Sequence, residues 1–429
     1  MSLLTRRRLA RASGFASTQL VVQGIGFVAG ILLVRRLDHA QYGLYTLVVS
    51  MTSVSIILAD LGLATAVLSI GGALSPAAGS VQQSLGLLGR DALRLHRRLL
   101  TLTAFAIVPC CMGLLLKQNA SPWQAAALTL IVLFSAACMV PTGIGLSMAR
   151  VLSRTRLQQA LDLGTNGARL ALLALASLLF LDATVACAVA LLTAFAYTTL
   201  LSRALVDDSE PAHETPNLGT HVPALRAQLA RLAPNSLYYI VSTQLTLWLV
   251  GIFGSPERVA ELGALARLGA VFVVIGSVSA ALLLPYFARR DDPAELASAF
   301  IGVNLFYAAL LGMLLSIAAA FPAALLWILG AKYAGLANEL LWMVAATTLA
   351  AWSGTVYGVG CARGWVMPVT LIASVGMGAT LAAVALVDVS SVRGAFMINA
   401  AGSAAGTCAG IAYFCWHLQR HARLRLALL

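Results

Sequence analysis

Two charged residues lie within long apolar stretches. Arg169 sits in TNGARLALLAL (residues 165–175) and Asp60 in IILADLGLATAV (residues 56–67). An ionisable group at membrane depth is costly, so it faces a cavity, pairs with another group, or reaches for the interface. A guanidinium can grip an oxyanion through two parallel N–H bonds. Its structural alternatives are snorkelling along its own helix and pairing with a neighbour. Asp60 reads as the acid set deepest in a span. It can pair with an arginine, carry a proton, or serve as a polar contact at a helix end.

Other chemistries lack their residues. No glycine-rich phosphate loop ending in Gly-Lys-Ser/Thr occurs, and no His-Glu-x-x-His. His39, His96, His213, His221, His417 and His421 are scattered over loops and helix ends. The seven cysteines form no CxxC pair, which suggests neither a metal site nor a disulfide framework. An enzyme is therefore not expected, nor a bound metal or cofactor.

The elements that must position Arg169 and Asp60 follow from composition. The 429 residues are 60% hydrophobic and only 10% charged, against about 25% charged in soluble domains. Mean hydropathy is +0.89. Continuous apolar runs of about 20 residues argue for membrane helices rather than barrel strands. Twelve are expected, at about 14–34, 42–70, 99–116, 123–148, 157–179, 183–205, 235–253, 262–287, 297–320, 338–361, 366–387 and 395–416. Basic amphipathic segments are expected separately, on the membrane surface, at about 81–98 and 225–231, with a basic tail from 417. The arginine-rich start reads as the cytoplasmic end of a retained first helix.

The net charge of +12 points to loops beside anionic lipid, not to nucleic acid. With the N-terminus inside, roughly twenty Arg and Lys fall on inner segments and about seven on outer ones. That bias places both termini in the cytoplasm and requires an even helix count. Residues 206–223 hold most of a hydrophilic, Pro-rich acidic run and read as a cytoplasmic linker between bundles at 1–205 and 224–429. The halves echo each other: TGIGLSMAR (142–150) and TVYGVGCAR (355–363) share Thr, Gly, Ala and Arg at the same offsets. The fold class is thus an all-α polytopic membrane protein, with two six-helix bundles related by a parallel repeat.

The stretch 34–67 resembles the first two helices of bacterial oligosaccharide flippases, a branch of the multidrug/oligosaccharidyl-lipid/polysaccharide exporter superfamily. Leu37, Tyr42, Gly43, Tyr45 and the run Asp60 to Leu63 carry the likeness, with Gly330, Tyr333, Gly394 and Ala395 further on. Relatives often have a charge in the seventh helix, where this chain has Ser242, Thr243 and Gln244. The resemblance implies a polyprenyl-diphosphate-linked oligosaccharide, flipped from the inner to the outer leaflet of the cytoplasmic (inner) membrane for surface polysaccharide synthesis. Glycosyltransferases and a polymerase would be partners, and a proton or sodium gradient the driving force. Arg169 would then meet the diphosphate, with Arg35, Arg36 and Arg267 as a basic mouth. Asn166 and Gln23 would meet sugar hydroxyls, as could Gln19, Asn235, Tyr238, Tyr239 and Gln244. Arg90, Arg94, Arg97 and Arg98 would anchor at anionic headgroups. Two rivals are a multidrug antiporter of the same superfamily and a membrane-embedded glycosyltransferase or polymerase.

Overall fold

The computed structural model describes residues 3–72, 81–152, 154–206, 219–290 and 292–428. Every regular element in them is helical. In chain order these are α1 (Leu3–Arg36), α2 (His39–Asp60), α3 (Leu63–Gly72), α4 (Val81–Lys117), α5 (Pro122–Val151), α6 (Thr155–Leu179), α7 (Ala183–Val206) and α8 (Val222–Phe253). Then follow α9 (Pro256–Leu268), α10 (Ala270–Arg289), α11 (Pro293–Ala320), α12 (Pro322–Trp327), α13 (Ala337–Ala362), α14 (Val369–Leu386) and α15 (Val392–Leu428). Ten of them are long and apolar enough to cross a bilayer. Two more, α6 and α10, have 25 and 20 residues. The protein is a multi-pass membrane protein. Its outer surface agrees: Phe105, Trp123 and Leu386 are 83%, 83% and 86% exposed, as suits side chains facing hydrocarbon.

Local sequence sets the helix starts. Asp38 accepts a hydrogen bond from the Gln41 amide, and Ser121 one from the Gln124 amide. Asp182 and Asp292 do the same for the amides of Val185 and Glu295. Such caps satisfy N–H groups that have no partner in the first turn. Pro122 and Pro293 sit in the first turn, where a missing N–H costs nothing.

The chain divides into two compact units, Met1–Gln244 and Leu245–Leu429, with the division inside α8. In the first unit α5 is central and packs against α2, α3, α4 and α7, while α6 packs against α1 and α7. In the second, α13 holds the equivalent place against α10, α11 and α15, and α14 packs on α15. The echoed motifs thus end the central helix of each unit. Their threonines have parallel jobs: Thr142 shares a 2.7 Å hydroxyl contact with Thr198, and Thr355 one of 2.7 Å with Tyr307. Their glycines do too. A Cβ on Gly145 would stand 3.0 Å from Leu201, and one on Gly358 3.2 Å from Leu284.

Several sequence expectations need correction. The expected span at 42–70 is two helices, broken at Leu61 and Gly62, both of positive φ. The span at 262–287 is likewise two, α9 and α10, meeting at Gly269. The basic stretches at 81–98 and 225–231 are not separate surface helices. They are the first turns of α4 and α8, and the apolar side chains of both enter a core shared with α2, α3 and α5. Leu85, Leu88 and Ala92 share one buried cluster with Leu225 and Leu229. Asp91, 2% exposed, fastens the pair by accepting hydrogen bonds from the amides of Gly219 (3.0 Å) and His221 (3.2 Å). Arg90, Arg94, Arg97 and Arg98 stay exposed. The basic tail continues α15. Residues 207–218 of the expected linker lie outside the described residues.

Candidate functional site

Four polar residues of α6 form one line. Gln158, Asp162, Asn166 and Arg169 are spaced by four, four and three, so they share a face over about 16 Å. The neighbouring helices of the first unit answer this line with polar side chains. From α7, the Tyr197 hydroxyl donates to Asp162 Oδ1 at 2.9 Å. From α1, Gln19 Nε2 donates to Asp162 Oδ2 at 3.3 Å. From α5, Arg150 Nε reaches Gln158 Oε1 at 3.5 Å. From α2, the Tyr45 hydroxyl accepts from Arg169 at 3.3 Å. Both tyrosines are held by packing, since Tyr45 is 2% and Tyr197 8% exposed.

Arg169 and Asp162 lie two turns apart, roughly 10 Å along the axis, too far to pair. No ion pair among the described residues includes Arg169. Its Nε is buried without a hydrogen-bond partner. The line therefore offers two separate functions. One end presents a carboxylate ringed by neutral donors, which can hold a proton or a cation. The other presents a guanidinium with donor capacity to spare, which can receive an anion.

Asp162 escaped the sequence reading, which took Asp60 as the deep acid. The signal was available in the spacing. Asp162 lies seven residues before Arg169, on the same helical face.

Asp60 has a different place. It ends α2 and caps α3, its Oδ1 accepting from the Ala64 amide and its Oδ2 from the Gly62 amide, both at 3.0 Å. It also lines a cavity of about 330 Å³ with Ile56, Ile57, Met139, Val140, Asn235, Ser236 and Tyr239. His96, expected on a loop or helix end, is 3% exposed in α4 and has Nδ1 3.2 Å from the Ala59 carbonyl.

The other expected site residues are dispersed. Asn166 spends its amide on the Asp162 carbonyl of its own helix, at 2.8 Å. Gln23 is exposed on α1, and Arg35 and Arg36 are exposed in its last turn. Arg267 belongs to the second unit, half-buried in the last turn of α9. The nearby acid Glu261 pairs with Arg258 at 3.2 Å. Gln244, at the end of the first unit, accepts a 2.5 Å hydrogen bond from Ser50. Among the described residues no three His, Cys, Asp or Glu side chains gather to hold a metal.

The sequence matches no protein-family model and no curated protein. The fold has solved counterparts. An inward-facing multidrug resistance MATE family transporter of the MOP superfamily superposes with a TM-score of 0.67 at 12% identity, over 96% of this chain and 99% of that one. The lipid II flippase MurJ, in an inward closed conformation, gives 0.65 at 8% identity, over 94% of this chain and 87% of that one. A eukaryotic MATE transporter, AtDTX14, gives 0.57 at 14% identity, over 95% and 94%. Over nearly its whole length the chain shares the fold of these MATE and MurJ structures, two repeated helical bundles.

Proposed function

We propose that the protein is a flippase moving polyprenyl-diphosphate-linked oligosaccharide from the inner to the outer leaflet of a bacterial cytoplasmic membrane by alternating access. The observation that carries this reading is Arg169. A half-buried guanidinium with one bond to a neutral phenol and a buried Nε left unsatisfied is an expensive arrangement. It makes sense where an anion visits, and a diphosphate supplies oxygens in the geometry the guanidinium fork accepts.

Each step then falls to a named group. Arg169 offsets the cost of the anionic head group's passage, and Arg35 and Arg36, in the last turn of α1 and so at its outer end, receive it. Asn166 and Gln23 contribute to the glycan path, and the polyprenyl tail stays in lipid. Asp162 takes up the coupling proton, its two oxygens held by Tyr197 and Gln19 until it does. Both termini lie in the cytoplasm, where Arg90, Arg94, Arg97 and Arg98 meet anionic headgroups. Glycosyltransferases supply the lipid-linked unit and a polymerase consumes it.

The test is a deletion host carrying Arg169→Ala. The expected result is protein in the membrane, no surface polymer, and lipid-linked units trapped on the inner side. Normal export would overturn the reading.

A second reading, a multidrug antiporter, gains from Asp162. With Asp60 it gives the first unit a second carboxylate within the apolar helices, and carboxylates suit cationic substrates. Efflux of lipophilic cations from a drug-sensitive host, abolished by Asp162→Asn, would favour it. No efflux at wild-type expression would exclude it.

A further inference from the structure

The break between α2 and α3 is closed by side chains that the transport path leaves unused. Leu61 and Gly62 turn the chain at φ 43° and 96°. A helix break leaves first-turn amides of the following helix without intrahelical partners. Here a carboxylate satisfies them, because Asp60 accepts the amides of Gly62 and Ala64, one on each oxygen. On the other side, His96 holds the Ala59 carbonyl. The break is also pressed by α8: a Cβ on Gly62 would stand 2.9 Å from Leu232 Cβ. Three residues further along α8, Asn235 joins Ser236 and Tyr239 in the wall of the cavity that Asp60 faces. Motion at the break therefore reshapes that cavity.

We propose that Asp60 is a proton-binding site whose charge state locks or frees a hinge at the α2–α3 break. While ionised, the carboxylate holds both amides through charge-assisted bonds. A proton entering through the cavity binds one oxygen and leaves a neutral acid. That oxygen becomes a donor and a poor acceptor, so one of the two amide bonds is lost and the break loosens. Loss of the proton back to the cavity restores both bonds. Among the described residues, the charged or titratable groups around Asp60 are His96 of α4, with Arg97 beside it, and Tyr239 of α8. From α5 come only Met139, Val140 and Gly143. His96 can donate Nδ1–H to the Ala59 carbonyl whether neutral or charged, so it is a positioning residue. The purpose of the hinge rests on the transport reading; its chemistry needs no substrate.

The experiment is hydrogen exchange of the full-length protein in lipid nanodiscs, across the peptide 57–66, with rates corrected for the intrinsic effect of pH. Acidification should lower wild-type protection there about tenfold, the worth of one cap bond. Asp60→Asn, with one acceptor oxygen, should match the acidified wild type at every pH. Asp60→Glu should keep the response, and so should His96→Gln. Three results would each overturn the proposal: a flat wild-type profile, a response that persists in Asp60→Asn, or one that vanishes in His96→Gln. Because no transport is measured, a failed flipping assay leaves this result standing, and the reverse holds too.

Discussion

The two units repeat one helical plan but are filled differently. Inside the first, α6 carries Asp162 and Arg169, and the α2–α3 break carries Asp60 beside His96. Inside the second, the corresponding contacts are neutral. Tyr307, fully buried, bonds Thr355 at 2.7 Å and Ser279 at 3.1 Å, while Trp352 donates to Asn304 at 2.8 Å. Phe287, Phe300 and Phe414 fill the rest of that core. The second helices contrast in the same way. The break at Gly62 is capped by a carboxylate, whereas α10, beginning after Gly269, has no side-chain cap bond. A shared scaffold thus carries charged side chains on α6 and at the α2–α3 break of one bundle, where the other joins α10, α11 and α13 through hydroxyls and aromatic rings.

That asymmetry orders the expected effects of substitution. Arg169→Ala should lower flipping about a hundredfold, the worth of a charged hydrogen-bonded contact, with Arg169→Lys recovering part of it as a point charge without the fork. Equal rates for wild type and Arg169→Ala in reconstituted vesicles would move the chemistry out of α6. Asp162→Asn should make transport about tenfold slower and insensitive to an imposed proton gradient, since the amide accepts hydrogen bonds without titrating. A gradient response surviving in that variant would remove Asp162 from coupling. Gly62→Ala should lower stability by about 1–3 kcal/mol, from positive φ and the clash with Leu232. An unchanged unfolding midpoint in detergent would contradict that packing. Tyr307→Phe should cost about 1–2 kcal/mol by orphaning two hydroxyls, with flipping unchanged. A transport defect there would show that the second unit also handles substrate.

Most of the helical inventory was legible in the sequence, because apolar runs of membrane length have few other uses. The resemblance motif also has a physical meaning. Tyr42, Leu44, Tyr45 and Leu47 are all within 2% of full burial, so that run is largely core, with the Tyr45 hydroxyl reaching the polar line. What the sequence concealed was contact between distant segments. Hydrophobic periodicity could not show that Asp60 would turn back on the two amides after it and end its helix. Nor could it show that 81–98 and 225–231 would bury their apolar residues in one core with α2, α3 and α5, as parts of α4 and α8. Arg169 stood out because a cation interrupts an apolar run. Asp162 did not, because it lies near the polar start of α6, and only its bonds to Tyr197 and Gln19 reveal its setting.

Substrate flipping by the purified protein in proteoliposomes tests the central claim most directly. A fluorescent polyprenyl-diphosphate oligosaccharide and a lipophilic cation would be followed side by side, for wild type and Arg169→Ala. The account predicts movement of the diphosphate lipid alone, lost in the variant. Movement of the cation alone, or of the diphosphate lipid at the same rate without Arg169, would contradict it.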